Sequence, residues 1–270
     1  MMAAADAGLR LATWNIHGAV GTDRAHAPER IARVLLEIDA DVVALQEVPL
    51  GGTLRARDAD ILRWLSEATG WQALAGPTLD TPARRFGNAV LTRLPVTQTR
   101  TIDLSFGHRE PRGALDVDVL HRGEPLRIVA THLGLGLHER RDQIARLLAA
   151  FDRPTLPVIL AGDINEWLLW GRALRLLTDH FKAARAPATF PSWCPLLSLD
   201  RIWMHPAERL VNVRVHRSPL ARVASDHLPL VAQIAAARPA AATPGVATPG
   251  VATPGVATDA QTSSLDWLRR

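Results

Sequence analysis

Residues 86–132 read FGNAVLTRLPVTQTRTIDLSFGHREPRGALDVDVLHRGEPLRIVATH, and this stretch decides the fold. Four apolar runs, Asn88 to Leu91, Val96 to Leu104, Ala114 to Leu120 and Leu126 to Thr131, follow one another with no helical pattern between them. Strands in direct succession pair antiparallel or in a mixed sheet, whereas a doubly wound parallel sheet needs a helix in its crossovers.

On both sides of this stretch strands alternate with helices. Leu9 to Ile16 reads as a strand, and Pro28 opens a helix whose Ile31, Val34, Leu35 and Ile38 fall at i, i+3, i+4 and i+7. Val42 to Leu45 is a buried strand ending at Gln46-Glu47. Asp58 caps a second helix through Ile61, Leu62 and Leu65, which Gly70 closes. Downstream, Ile144, Leu147, Leu148 and Phe151 mark a third helix. Val158 to Ala161 is a strand that stops at Gly162-Asp163-Ile164-Asn165, and a fourth helix follows Glu166. Strands near Leu199 to Met204, Leu210 to Val215 and Leu230 to Ile234 complete the pattern. The prediction is an α/β (α+β) fold in which two mixed or antiparallel sheets pack together with helices outside.

Composition bounds what such a chain does. With 270 residues and 47% hydrophobic content it has enough apolar chain for a full core. One cysteine excludes a disulfide framework and a cysteine-based zinc cluster. No apolar run reaches the roughly 18 to 20 residues of a membrane span, and the first residues lack the basic and apolar regions of a signal peptide, so the expectation is a cytoplasmic chain. The formal charge of +4 permits a polyanionic partner without demanding one. Near the C-terminus ATPGV occurs three times between Ala242 and Val256. That period offers no face to bury, so residues 237–270 are expected to be a disordered tail, residues 1–8 a flexible N-terminus and residues 9–236 the folded domain.

Five polar clusters interrupt the strand ends: Trp14-Asn15-Ile16-His17-Gly18, Leu45-Gln46-Glu47-Val48, Thr131-His132-Leu133-Gly134, Gly162-Asp163-Ile164-Asn165 and Ser225-Asp226-His227-Leu228-Pro229. Ionisable side chains set just after buried strands converge on one rim of a sheet sandwich, where distant sequence positions share a site. Singly, each is also a common turn or a hydrogen-bonded structural residue. Their order and identities together resemble the endonuclease/exonuclease/phosphatase superfamily, the DNase I-like proteins. The likeness runs from Leu11 to Pro229. Phe86 to Arg93 resembles the family's central strand, and Leu199-Asp200-Arg201-Ile202 its late aspartate-bearing strand.

The resemblance implies a four-layer, DNase I-like sandwich and a metal-dependent phosphoester hydrolase of the phosphodiesterase or nuclease type, catalytic over 9–236. It implies Glu47, Asn15 and Asp226 as ligands of Mg²⁺, a hard cation that takes oxygen donors. Asp163 would orient and deprotonate the attacking water with Asn165 beside it, and His227 would be paired with Asp200. His132, Arg112, Asn15 and Asn88 would face the substrate phosphate. His17 stands where many nucleases of the superfamily carry an aspartate, which leaves one metal or two open. Its imidazole either favours Mn²⁺ as the cation or faces substrate.

The implied substrate is nucleic acid, a phospholipid or phosphoinositide, or another small phosphoester, and a monomer is the family-like state. Arg55, Arg57, Arg84 and Arg85 are candidate basic contacts. Trp167, Trp170 and Trp193 either stack bases, enter a lipid interface or pack locally. A non-catalytic binding module with this fold would have lost Glu47, Asp163 or His227, and all three are present.

Overall fold

The computed structural model describes residues 8–53, 59–151, 156–168, 171–182 and 184–236. The first half runs β1 (Leu9–Asn15), α1 (Pro28–Ile38), β2 (Val42–Gly51), α2 (Ile61–Thr69), β3 (Gln72–Asp80), β4 (Arg85–Thr92), β5 (Val96–Asp103) and β6 (Gly113–His121). The second runs β7 (Glu124–His132), α3 (Leu137–Ala149), β8 (Val158–Asp163), α4 (Arg172–Phe181), β9 (Asp200–His205), β10 (Leu210–Val215), α5 (Ala221–Ala224) and β11 (Leu230–Ile234). One sheet has the order β10-β11-β1-β2-β4-β3 and the other β5-β6-β7-β8-β9. Each is mixed: β1–β2 and β7–β8 are parallel and their other pairings antiparallel.

Alternation along the strands sorts their side chains into three apolar layers. Leu9, Leu11, Val42, Ala44 and Val90 of the first sheet meet Leu115, Val117, Ile128, Ile159 and Ile202 of the second, forming the inter-sheet core. Trp14, Val43 and Leu45 face the other way, onto Ile31, Val34, Leu35 and Ile38 of α1 and Ile61, Leu62 and Leu65 of α2. Val129, Leu160 and Trp203 likewise carry Ile144, Leu147 and Phe151 from α3 and its end, and Leu174, Leu177 and Phe181 from α4. This is the helix–sheet–sheet–helix sandwich. No helix among the described residues is long and apolar enough to cross a membrane.

Most elements match the sequence pattern, and their ends differ where backbone chemistry intervenes. α1 has proline at its start and ends on left-handed Asp39. α2 is capped by Asp60, whose carboxylate accepts from the Arg63 N–H at 2.9 Å; the expected cap, Asp58, lies outside the described residues. β2 does not stop at Glu47 but continues to Gly51 through a bulge between Leu45 and Val48. The fourth helix begins at Arg172 rather than directly after Glu166. Trp170, Arg55, Arg57 and the 237–270 tail lie outside the described residues.

Candidate active site

The same alternation that builds the inter-sheet core aims the polar clusters. Asn15 follows Leu9 and Leu11 in parity, His132 follows Ile128 and Ala130, and Asp163 follows Ile159 and Ala161. Asp200 precedes Ile202 and Met204 on the same face. Each therefore points into the space between the sheets at the one end where apolar residues give way to polar ones. β7 and β8 run parallel and place His132 opposite Asp163, while antiparallel β9 brings Asp200 opposite Asp163 from the other side. Gly162 permits this spacing, since a Cβ there would run into the Thr131 carbonyl of the neighbouring strand.

Glu47 needs a further device. Parity alone sends it to the α1 face with Leu45, but the bulge sets two residues against one and Glu47 takes φ +56°. His17 (φ +49°) and Asn165 (φ +53°) are also left-handed. Non-glycine residues rarely adopt this conformation, and three of them fall in these clusters.

Asp163 is the hub, 99% buried. Its Oδ1 accepts from the Asn165 backbone N–H at 2.9 Å and its Oδ2 from Asn15 Nδ2 at 3.1 Å. Nε2 of His132 and Nε2 of His227 lie 3.6 and 3.7 Å from Oδ2. The Asn15 amide nitrogen also donates to Glu47 Oε1 at 2.9 Å, so one side chain spans two carboxylates. Its oxygen accepts from the His17 N–H at 3.0 Å. In this orientation Asn15 donates toward both carboxylates.

The two histidines are held in opposite states. His227 Nδ1 lies 2.8 Å from Asp200 Oδ2, which also accepts from Thr189 Oγ1 at 2.5 Å. Burial opposes a charged imidazole, yet the Asp200, Asp163 and Asp226 carboxylates outweigh it and raise the His227 pKa to about 10. His132 is driven the other way. Burial lowers its pKa to about 3, with Asp163 opposing and the Arg112 and His227 charges reinforcing the fall. Arg112 Nη1 sits 2.9 Å from His132 Nδ1. A guanidinium only donates, so Nδ1 accepts and the ring proton resides on Nε2, the nitrogen facing Asp163. Asn165 Nδ2, 3.0 Å from that nitrogen, donates to the Leu133 carbonyl at 2.9 Å.

Glu47 and Asp226 complete the acidic side. Burial raises the Glu47 pKa, the Asn15 hydrogen bond and His17 oppose it, and the Asp226 and Asp163 charges raise it further. Asp226 accepts from Ser225 Oγ at 3.3 Å and lies 3.8 Å from His17 Nδ1. Two carboxylates beside a third, with no lysine or arginine among the described residues bonded to Glu47, Asp163 or Asp226, form an oxygen-rich set suited to a hard divalent cation. Asp163, Asp200 and His227 also lie together, with ligand atoms within 4.8 Å of one another. There, however, Asp200 Oδ2 and His227 Nδ1 are already committed to each other.

Two expected phosphate contacts are bonded to protein groups. Asn88 Nδ2 donates to the Gly113 carbonyl at 2.8 Å, tying the two sheets together. Arg112 is buried against His132 and Glu110, with Nε lacking a hydrogen-bond partner. Other residues escaped the sequence reading. Thr189 anchors Asp200 from 11 residues upstream, and Phe190 sets its ring 4.8 Å from that of His227. Trp14 Nε1 donates to the His227 carbonyl at 2.8 Å, and Ser225 Oγ to the Asn15 carbonyl at 2.7 Å. Trp14 and Ser225 sit inside the quoted clusters, but nothing local marks Thr189 or Phe190.

Comparison with known proteins bears on the family and the fold. The Endonuclease/Exonuclease/phosphatase family profile matches residues 12–227. The uncharacterized protein YbhP of Escherichia coli (strain K12) is 30% identical over 246 residues, spanning 83% of this chain and 95% of that protein. An endonuclease/exonuclease/phosphatase from Beutenbergia cavernae DSM 12333 superposes with a TM-score of 0.69 at 23% identity, over 84% of this chain and 71% of that one. A mannosyl-6-phosphatase from Bacteroides thetaiotaomicron VPI-5482 gives 0.65 at 17% identity, over 84% and 99%. At these identities the two structural likenesses speak for the fold.

Proposed function

Because the chain belongs to the endonuclease/exonuclease/phosphatase family and is a hydrolase acting on phosphoester bonds, we propose that it is a metal-dependent phosphodiesterase that attacks phosphorus in line with water. The observation that carries this reading is the Asp163 carboxylate, fixed by Asn15 and the Asn165 N–H with two imidazoles within 3.7 Å. Asp163 orients the water and takes its proton as the new P–O bond forms. The bond to the leaving alcohol oxygen breaks, and that oxygen takes a proton from solvent. The His227 imidazolium, fixed by Asp200, and the Nε2–H of neutral His132 donate to phosphoryl oxygens as charge builds on them. Arg112 holds His132 in place through its Nδ1.

Glu47 and Asp226 would hold Mg²⁺, or Mn²⁺ with His17 nearby. A divalent cation there supplies charge neutralisation and polarises a phosphoryl oxygen. This chemistry serves nucleic acid, phospholipid or a small phosphoester equally, so the rim around the site selects the substrate.

The test is a panel of bis(p-nitrophenyl) phosphate, oligonucleotides and phospholipid vesicles, assayed with Mg²⁺, with Mn²⁺ and with chelator. Hydrolysis that needs a divalent cation and disappears in Asp163→Asn and Glu47→Gln is expected. Equal residual activity in the wild type and both variants would sink the assignment.

A further inference from the structure

Among the described residues nine large apolar side chains are exposed, and six of them lie in three segments at the active-site end. Leu135 and Leu137 follow β7, Trp167 and Leu168 follow β8, and Trp193 and Leu196 precede β9, each more than half exposed. β7, β8 and β9 are consecutive in their sheet, and their pairings put His132, Asp163 and Asp200 at one end. The three segments therefore leave the sheet side by side, next to the site. Scattered exposed leucines need no explanation, but a cluster of this kind marks a binding surface.

The segments are firmly held from behind. Phe190 bridges to Leu197, and the turn between them carries Trp193 and Leu196. The base of that turn is pinned by the Ser192 N–H to the Asp226 carbonyl at 2.7 Å and the Leu228 N–H to the Thr189 carbonyl at 3.0 Å. Buried Arg140 donates to the Leu135 carbonyl at 2.6 Å and to the Gly134 carbonyl at 3.2 Å, and its Nε lies 3.5 Å from buried Glu166. The polar groups thus face inward and leave apolar side chains outward.

Charge chooses the occupant. Across residues 133–138, 164–168 and 189–197 no arginine, lysine or aspartate occurs, and the one glutamate, Glu166, is buried. A nucleic-acid strand is gripped through its phosphates by cationic side chains, and an anionic membrane also calls for them. Arg109, whose guanidinium lies against Gly136, is paired with Glu139 at 3.2 Å, and a tryptophan and leucine rim with its neighbouring cation so balanced suits an interface that is apolar below and uncharged overall.

We propose that this rim docks the protein on a neutral, zwitterionic phospholipid surface, so that the site draws its phosphoester from a lipid headgroup. The inference rests on the phosphoester-hydrolase reading and names its substrate class. Docking brings the open end of the inter-sheet space, with Asp163 and His227, to the headgroup layer.

Cosedimentation of the full chain with phosphatidylcholine vesicles at low and high salt tests it. Binding that changes little with salt is expected. The Trp193→Ser/Leu196→Ser pair, and separately Trp167→Ser, should lower vesicle partitioning by about tenfold while hydrolysing soluble bis(p-nitrophenyl) phosphate as the wild type does. Absence of vesicle binding, binding confined to anionic vesicles and lost at high salt, rim variants that bind as the wild type does, or capture of a single-stranded oligonucleotide in place of vesicles would each overturn docking. Turnover of the soluble diester without vesicle binding removes the docking inference alone. Vesicle binding by a chain that turns over none of the phosphoesters removes the hydrolase reading instead.

Discussion

Two clusters of carboxylates in this molecule have opposite designs. On the outer face of the second sheet, Asp116 of β6 accepts from Arg100 of β5 at 2.9 and 3.0 Å and from Arg127 of β7 at 2.6 and 3.0 Å. Arg100 also reaches Asp118 at 2.5 and 2.9 Å, and Arg127 lies over the Phe151 ring and bonds the Ala150 carbonyl. At the end of the inter-sheet space, Glu47, Asp163 and Asp226 gather with amides and imidazoles but, among the described residues, no bonded guanidinium. The first cluster closes its own charge balance and acts structurally. The second gathers carboxylates without such partners, the arrangement that the proposed reading requires for a cation and a phosphate.

The largest expected effect follows from that difference. Asp163→Asn and Glu47→Gln should each lower the rate of phosphoester hydrolysis by about 10³-fold or more, the scale for losing a positioned base or a metal ligand. Their thermal midpoints without added metal should match or exceed that of the wild type, because each removes a carboxylate from a repulsive group. A fall in stability parallel to the fall in rate would show that the two clusters do not differ as described.

The converse substitution probes the closed cluster. Asp116→Asn replaces the charged acceptor that Arg100 and Arg127 share with an uncharged amide whose NH2 faces a guanidinium, and should cost about 3 kcal/mol, a fall in Tm of roughly 10 °C for a domain of this size. Activity per folded molecule should stay as in the wild type. The pH dependence has a definite sign. Burial tends to raise the Asp116 pKa, but the Arg127 and Arg100 hydrogen bonds outweigh it and hold the group below its ordinary value. Its contribution is therefore present above the unfolded-state pKa of about 4 and is lost as pH falls through the lowered folded value. Acid titration of stability should show this loss in the wild type and a flatter acid limb in Asp116→Asn. Equal slopes would contradict the pairing.

These designs were unequally legible in the sequence. Strand ends carrying His132, Asp163 and Asp200 can be read because parity in a strand is local, and the apolar residues before or after each polar one fix its face. Glu47 resists such a reading, since its direction depends on a bulge between β2 and β4 that only pairing reveals. Asn88 and Arg112 sit in motif-like segments, but their partners, the Gly113 carbonyl on the other sheet and His132, are set by tertiary pairing that the local sequence does not show. Thr189 and Phe190 come from an irregular segment whose place is set by Asp200 and His227. The Arg100–Asp116–Arg127 cluster also escapes the sequence, because its members are brought together by the pairing of three strands.

The smallest expected effect tests the receptive cluster most directly. If Glu47 and Asp226 are placed to hold a cation, Mg²⁺ must bind the folded chain better than the unfolded one. At ten times its dissociation constant it should then add about 1.4 kcal/mol of stability, a few degrees in Tm. The shift should vanish in Glu47→Gln and survive in Asp116→Asn, whose carboxylate is neutralised by arginine rather than by metal. Differential scanning calorimetry with Mg²⁺ and with matched ionic strength from a monovalent salt separates specific binding from screening. An equal rise in both salts would mean that the open cluster merely tolerates its charge. It would then differ from the closed one in degree and not in purpose.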